Sequence, residues 1–436
     1  MSDGADTIVA LATPAGVGGI GVIRLSGPRA LAIAEAIAGP APGPRRAAYR
    51  RLQDADGDVL DDGIVIRFRG PYSYTGEDVV ELQGHGSPVV LQQLVETARR
   101  LGARLARPGE FTERAFLSGK LDLAQAEAVA DLIHAQTATA ARLARSSLDG
   151  ALARETEPVG EEIRALRVLI EAEIDFGETD LESAVAPAVA ARATALSDAV
   201  AALRRRLQPA RVFTAGLRLA LVGAPNVGKS SLMNRLADAE VAIVTERPGT
   251  TRDLLRAQIA IDGIPVELID TAGLRESDDE VERIGIARAR EAAAAADLIL
   301  EIRDLTRPEA LAWLPDRPGI PWLRVWNKSD LMPGAVAEDG LLVSAATGAG
   351  LDALRAAIRN AVGAAEGADA RFSVRARHLD GLDGVASALR RIGPDQPPDL
   401  MAEDLRLAER ALDELLGRGD HEALLGAIFA GFCIGK

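Results

Sequence analysis

The chain is nearly without cysteine and lysine and has no long apolar run, and each shortage closes off a class of protein. A single cysteine, Cys433, excludes a disulfide framework and a thiolate zinc cluster. The four histidines, His85, His134, His378 and His421, are scattered and offer no ligand spacing. No stretch approaches the roughly 18 apolar residues of a membrane span, and even the Ala-rich run after Glu291 stops at Asp297. The start, Met-Ser-Asp-Gly-Ala-Asp, is acidic and lacks the apolar segment of a secretory signal and the arginines of a transit peptide. We therefore expect no membrane span and a cytoplasmic location. A basic balance is also missing: the net charge is -14, so contact with a phosphate backbone must rest on a local patch or a partner. The closing Cys433-Ile-Gly-Lys436 does not make a prenylation box, because Gly435 is not aliphatic and Lys436 is a poor last residue.

Of 50 basic residues only four are lysine: Lys120, Lys229, Lys328 and Lys436. Arginine serves almost everywhere else, so a persisting lysine is a candidate for a place that wants a compact point charge and not a planar fork. Two of the four fall in the nucleotide motifs below. Lys120 and Lys436 are left as candidates for small-molecule binding, against the plainer reading of chance survivors on a solvated face.

At 436 residues the chain fits about three domains. From Thr7 to about Leu117, short β-rich runs (Thr7 to Ala12, Gly21 to Leu25, Gly63 to Phe68, Val79 to Gln83) are broken by Gly/Pro turns and helical stretches near Ala30 to Ala38 and Pro88 to Leu101, which reads as an α+β module. Between Leu121 and Leu207, apolar residues three and four apart, such as Leu166, Leu169, Ile170 and Ile174, predict long packed helices. The acidic run Glu171 to Glu182 reads as a solvated helix end. From Leu217 to about Val362 strands alternate with helices, the mark of a parallel sheet, and helical texture resumes after Arg371. The economical division is residues 1–118 as the α+β domain, 119–210 and 371–436 as halves of one all-α helical domain, and 211–370 as an α/β module inserted between them.

Arg218 to Val222 runs into Gly223-Ala-Pro-Asn-Val-Gly-Lys-Ser230 and then a helical stretch from Ser231. Strand, glycine loop and helix form the context of a phosphate-binding loop. Gly223 and Gly228 permit the turn that aims N–H groups of Asn226, Val227 and Ser231 at phosphates; Lys229 reaches the outer phosphates and the Ser230 hydroxyl suits Mg²⁺. Next comes a hairpin, Ala257 to Ile261, a turn at Asp262-Gly263 and Pro265 to Ile269, which delivers Asp270-Thr271-Ala272-Gly273 at a strand end. Asp270 suits a direct or water-mediated Mg²⁺ contact and the Gly273 amide can sense a γ-phosphate. Upstream, Thr245-Glu246-Arg247-Pro248-Gly249-Thr250-Thr251 lies in a switch segment, where Thr251 can complete the Mg²⁺ shell with triphosphate bound. The base is read by Asn327-Lys328-Ser-Asp330 and Ser344-Ala345-Ala346. The Asp330 carboxylate can accept both N1–H and the exocyclic N2–H of guanine, a pair that adenine lacks, so GTP is the expected ligand and ATP is rejected.

The flanks narrow the choice. Ala12-Thr-Pro-Ala-Gly-Val-Gly-Gly-Ile-Gly-Val-Ile-Arg-Leu-Ser-Gly27, Gly76-Glu-Asp-Val-Val-Glu-Leu-Gln-Gly-His-Gly86, Ser118-Gly-Lys-Leu-Asp-Leu-Ala-Gln-Ala-Glu127 and Phe432-Cys-Ile-Gly-Lys436 resemble the MnmE (TrmE) family of tRNA-modification GTPases over essentially the whole chain. The resemblance implies a homodimer formed through an amino-terminal domain that binds 5-formyl- or methylene-tetrahydrofolate. It also implies a flavin-dependent partner, MnmG (GidA), joined in a heterotetramer, and an aminomethyl or carboxymethylaminomethyl group added to the wobble uridine of certain tRNAs. By matching motifs it places folate contacts at Arg24, Glu81, Lys120 and Lys436, and K⁺ ligands at Asn226, Thr245, the backbone oxygen of Arg247, and Thr250. Leu274 stands where many small GTPases carry a water-orienting glutamine; the resemblance gives that role to Glu282, beside catalytic contributions from Asn226 and Lys229. Cys433 matches the family's terminal cysteine, expected to pack or shape the folate site. A cluster Gly16-x-Gly-Gly-x-Gly21 superficially suits a dinucleotide, but β-like Val22-Ile-Arg-Leu25 follows where a helix is needed. Two other readings stay open: a ribosome-assembly GTPase acting as an RNA-binding switch, although the tail from Arg371 shows no G-x-x-G loop in a basic αβ context, and a nucleotide-gated scaffold.

Overall fold

The computed structural model describes residues 6–176, 185–224, 226–238, 256–270, 295–307, 320–337, 339–364, 371–418, 422–432 and 434–435. The chain forms two compact units, Met1–Ala130 with Asp413–Lys436, and Asp131–Leu412. Among the described residues no helix is long and apolar enough to cross a membrane.

In the first unit a six-stranded sheet runs in the order β3-β4-β5-β2-β1-β6, from β1 (Ile8–Leu11), β2 (Gly18–Ser26), β3 (Ala47–Gln53), β4 (Val59–Phe68), β5 (Val79–Gly86) and β6 (Arg104–Leu105). Helices α1 (Ala30–Ala38) and α2 (Pro88–Arg100) contribute Ile33, Ile37, Leu91 and Leu94 to a core shared with Ile23, Leu25, Leu52, Val65, Val80 and Leu82. Successive strand residues alternate between faces, so the residues between these apolar ones point the other way. Arg24 and Glu81 are thereby directed to the face opposite the helices, directly paired across β2 and β5. Strand β3 was not among the expected runs; its Ala-Ala-Tyr-Arg-Arg-Leu-Gln lies at the sheet edge and buries only Leu52. After α3 (Glu110–Leu117) and α4 (Leu123–His134), the closing helix of the chain, Glu422–Ala430, returns to this unit: Phe429 and Phe432 bury against Ala126 and Ala130.

The second unit holds helices on both sides, in sequence, of a mostly parallel sheet. Helices α5 (Ala138–Leu148), α6 (Ala151–Phe176), α7 (Val185–Leu207) and α8 (Arg211–Ala215) lead into β7 (Leu217–Val222) and α9 (Lys229–Asp238). The sheet continues with β8 (Arg256–Ile261), β9 (Ile264–Asp270), β10 (Leu298–Asp304), β11 (Trp322–Asn327) and β12 (Leu341–Leu342), in the order β12-β11-β10-β7-β9-β8, with only β8 antiparallel. Beyond it lie α10 (Leu351–Ala361), α11 (Ala376–Arg390) and α12 (Pro398–Leu416). Helices from the two sequence halves pack together: Ser197 Oγ on α7 donates to the Ala386 carbonyl of α11 at 3.1 Å, and Arg167 on α6 pairs with Glu409 on α12. The α/β module is thus an insertion within a helical domain. Strand β7, buried on both faces beyond Arg218, reads as a nearly unbroken apolar run for that reason, whereas β10 buries Glu301 within it, paired with Arg303 and Arg324.

Candidate nucleotide site and a polar pocket

Strand β7 has β9 on one side and β10 on the other, so its carboxyl end is the switch point of the strand order, where sheets of this kind place their ligands. The loop from Gly223 to Gly228 occupies that end. Gly223 sits where a Cβ would lie 2.4 Å from the Ile302 carbonyl oxygen of β10, and Gly228, at φ 95°, would bring one to 2.2 Å from Asn327 Nδ2. Only glycine lets the loop lie this close to its neighbours. Asn226 also takes the left-handed region, at φ 63°, with its side chain exposed. Helix α9 begins at Lys229, so the loop's amides are followed by a helix amino terminus, which favours anions. The buried Lys229 donates to the Gly223 and Ala224 carbonyls at 2.7 and 2.8 Å. Ser230 and Ser231 are exposed in the first turn.

Asn327, the last residue of β11 and 2 % exposed, ties two loops together. Its Nδ2 donates to the Val227 carbonyl at 2.8 Å, and its Oδ1 accepts from the Ala345 N–H at 3.0 Å. Ser344 Oγ donates to Asp330 Oδ1 at 2.5 Å, while Arg235 of α9 donates to the carbonyls of Ala345 and Ala346. Asp330 is exposed, so the discrimination expected of a buried carboxylate arises only when a base covers it. Lys328, at φ 64°, reaches back to Asp304 at the end of β10, with Nζ 2.6 Å from Oδ2. Burial works against the Asp304 charge, but hydrogen bonds from Lys328 and Thr306 outweigh it and hold the carboxyl below the usual range. Asp304 is a residue that the motifs did not reveal; its available signal was an acid shortly after the apolar residues Leu298, Ile299, Leu300 and Ile302.

The structure therefore gathers Asn226, Val227, Lys229, Ser230, Asn327, Lys328, Asp330, Ser344, Ala345 and Ala346 along one edge of the sheet, where β9 also ends at Asp270. Thr245, Glu246, Arg247, Pro248, Gly249, Thr250, Thr251, Thr271, Ala272, Gly273 and Glu282 lie outside the described residues.

In the first unit, Arg24, Glu81 and Lys120 line one cavity of about 290 Å³ together with Arg45, Phe68, Tyr72 and Tyr74. Arg24 donates to Glu81 Oε1 through Nε and Nη2 at 3.1 and 2.9 Å, and through Nη1 to the Gly435 carbonyl at 3.2 Å. Its guanidinium lies 5.7 Å from the ring centres of both Tyr74 and Phe111. Lys120 Nζ donates to the Pro71 carbonyl at 2.7 Å. Gly435, at φ 95°, leaves no space for a Cβ, which would meet the Leu11 carbonyl at 2.2 Å; the end of the chain is pinned to β1. Cys433 and Lys436 lie outside the described residues. Arg45, Tyr72 and Tyr74 escaped the sequence reading because loop residues carry no periodicity to betray the face they line.

Two family models account for nearly all of the chain: the MnmE helical domain matches residues 123–433, and the GTP-binding protein TrmE N-terminus matches residues 7–120. The tRNA modification GTPase MnmE of Alkalilimnicola ehrlichii is 48% identical over 441 residues, covering 99% of each chain. That of Neisseria meningitidis serogroup C is 47% identical over 451 residues, covering 100% of each. Among solved structures, the G domain of the T. maritima FeoB iron transporter shares 26% identity at a TM-score of 0.27, over 33% of this chain and 98% of that one.

Proposed function

The chain belongs to the MnmE (TrmE) family of tRNA-modification GTPases, and from that membership we propose how its residues divide the work. It is a GTP hydrolase of tRNA modification. The observation that carries the residue assignment is the double hydrogen bond of Asn327, which spaces the phosphate loop from the Ser344-Ala345-Ala346 loop. Lys229 and Asp330 then serve opposite ends of one nucleotide. The loop amides and the Lys229 ammonium bind the phosphates, Asp330 accepts from the guanine edge, and Lys328, fixed by Asp304, flanks the base.

The donor set fits the ions expected. Ser230, with Thr251, would hold Mg²⁺, since a hydroxyl is the hard oxygen ligand this ion takes, and the ion would supply charge that offsets the phosphates. Asn226, with Thr245, the Arg247 carbonyl and Thr250, would hold K⁺, which would supply the positive charge toward the phosphates that other GTPases take from an arginine. Glu282 orients the attacking water. Arg24, Glu81, Lys120 and Lys436 bind a tetrahydrofolate: the Glu81 carboxylate suits the adjacent N–H donors of a pterin, and the cavity that Glu81 shares with Arg24 and Lys120 supports this. The chain acts as a homodimer with the flavin-dependent MnmG, and the pair modifies position 5 of the wobble uridine. The four-part division at residues 118, 210 and 370 remains the domain proposal.

Calorimetry with Mg²⁺ tests the site: GDP and GTP bind and ATP does not. Indifference to guanine nucleotides sinks the assignment. Mass spectrometry of wobble nucleosides from cells with and without the protein tests the reaction; unchanged modification on deletion refutes it.

A further inference from the structure

Helix α5 lies in the helical part of the sequence, yet it is built into the sheet module. Leu143 on α5 is 1% exposed and shares one apolar core with Leu219, Ile259, Ile261 and Leu268. The cap of this helix has two bonds to make. Thr137 Oγ1 accepts from the Ala140 N–H at 3.0 Å, closing the first turn, and donates its own proton to the Gly263 carbonyl at 2.8 Å. Gly263 is the tip of the β8–β9 hairpin, where Asp262 at φ 50° and Gly263 at φ 83° form the left-handed pair of a tight two-residue turn. A Cβ on Gly263 would lie 2.6 Å from Thr139 Oγ1, so the tip is pressed against the first turn of α5. From α10, Arg359 pairs with Asp262 at 2.9 Å. Thr137 and Arg359 thus bond to the turn, and Thr139 packs against it.

The open end of the same hairpin faces the chemistry. Asp270 closes β9 beside Leu221 of β7, two residues before the phosphate loop begins at Gly223. The two strands pair without a break from Ile261↔Ile264 to Arg256↔Ile269. A continuously bonded ribbon carries a shift at its tip to its far end. We infer that Thr137 is a positioning residue for GTP hydrolysis: by holding the hairpin tip it sets where the backbone at the end of β9 lies beside the start of the phosphate loop. This rests on the GTPase reading of the site. Lys229, Asn327 and Asp330 are not residues of the hairpin itself but stand at the start of α9, at the end of β11 and just beyond it, so the clamp acts on turnover more than on GDP binding.

Three variants of the full chain separate clamp from cap. Thr137→Asp keeps an oxygen to cap α5 but has no proton for Gly263 and sets a carboxylate against its carbonyl; Thr137→Val loses both bonds; Thr137→Ser keeps both. Losing one such hydrogen bond corresponds to about a fivefold effect, so kcat for GTP should drop about fivefold in Thr137→Asp and Thr137→Val and recover in Thr137→Ser. Kd for GDP should stay within about twofold throughout, and Thr137→Asp should melt near the wild type. Wild-type kcat in a folded Thr137→Asp protein overturns the inference, as does a GDP affinity that falls in step with kcat. A wild-type protein that neither binds nor hydrolyses GTP would instead defeat the underlying GTPase reading.

Discussion

Replacing Asn327 by alanine is the sharpest perturbation of the nucleotide site, because this one side chain joins two loops between which, among the described residues, no backbone hydrogen bond runs. The substitution strips the Val227 carbonyl of its donor at 2.8 Å and the Ala345 N–H of its acceptor at 3.0 Å, in surroundings where Asn327 is 2 % exposed. Each buried group left unpaired costs about 1–3 kcal/mol. A water entering the vacated volume recovers part of this, which puts the combined loss near the lower end, about 2–3 kcal/mol. Without nucleotide the two loops can drift apart and relax. A ligand that spans Lys229 and Asp330 has to restore their spacing on binding, so most of the loss appears as affinity and little as stability. At about 1.4 kcal/mol per tenfold, GDP should bind roughly 30- to 150-fold more weakly. Calorimetric titration with GDP and Mg²⁺, beside a thermal melt by circular dichroism, measures both quantities. A GDP Kd within about threefold of the wild type would show that Asn327 does not set the loop spacing.

Other outcomes follow from the same structure. Asp330→Asn places an amide donor where guanine also donates, so guanine affinity should fall at least about a hundredfold, while xanthine nucleotides, with a carbonyl at that position, gain; competition binding decides. In the first unit, burial raises Asp6 and Glu110, but hydrogen bonds from Arg104 and Arg114 hold both carboxyls below their ordinary values of 3.8 and 4.5. Depressed carboxyls contribute stability that is complete above the unfolded pKa and is lost as pH falls through the folded one. The Tm should therefore be flat above about pH 5 and fall below it, and Glu110→Gln should lower the plateau and flatten the fall; parallel profiles would show that the cluster is not the cause. Glu81→Gln keeps its shape but loses its charge beside Arg24, so tetrahydrofolate binding should weaken about tenfold or more in fluorescence titration, with GTP turnover untouched. GTP turnover in K⁺ should far exceed that in Na⁺, and Glu282→Ala should keep GTP affinity while losing most of kcat; equal rates in the two salts would remove the K⁺ assignment.

Motifs confined to a few consecutive residues were legible in the sequence. The run Gly223 to Ser230 states its own chemistry because its glycines, lysine and serine act within one loop and one helical turn. The hairpin turn Asp262-Gly263 was legible for the same reason, and so was β7, whose apolar run leads straight into the loop. Strand β3 was not, because its pairing with β4 comes from backbone bonds and not from an apolar alternation. Asp304 was missed since its partner, Lys328, is 24 residues away.

By itself the sequence determined the guanine nucleotide, the insertion of an α/β module among helices, and the family. The nucleotide depends on motifs that a short window contains, and the insertion and the family on the order of such stretches along the chain. Tertiary structure alone decided which distant residues meet. Arg24 and Glu81 touch because β2 and β5 pair in one register and no other, and Asn327 reaches Val227 because β10 lies between β7 and β11. Thr137 and Gly263, 126 residues apart, meet because α5 buries Leu143 in the core of the sheet module. Strand register and helix docking are set by burial summed over the whole chain, and no short stretch of residues encodes them.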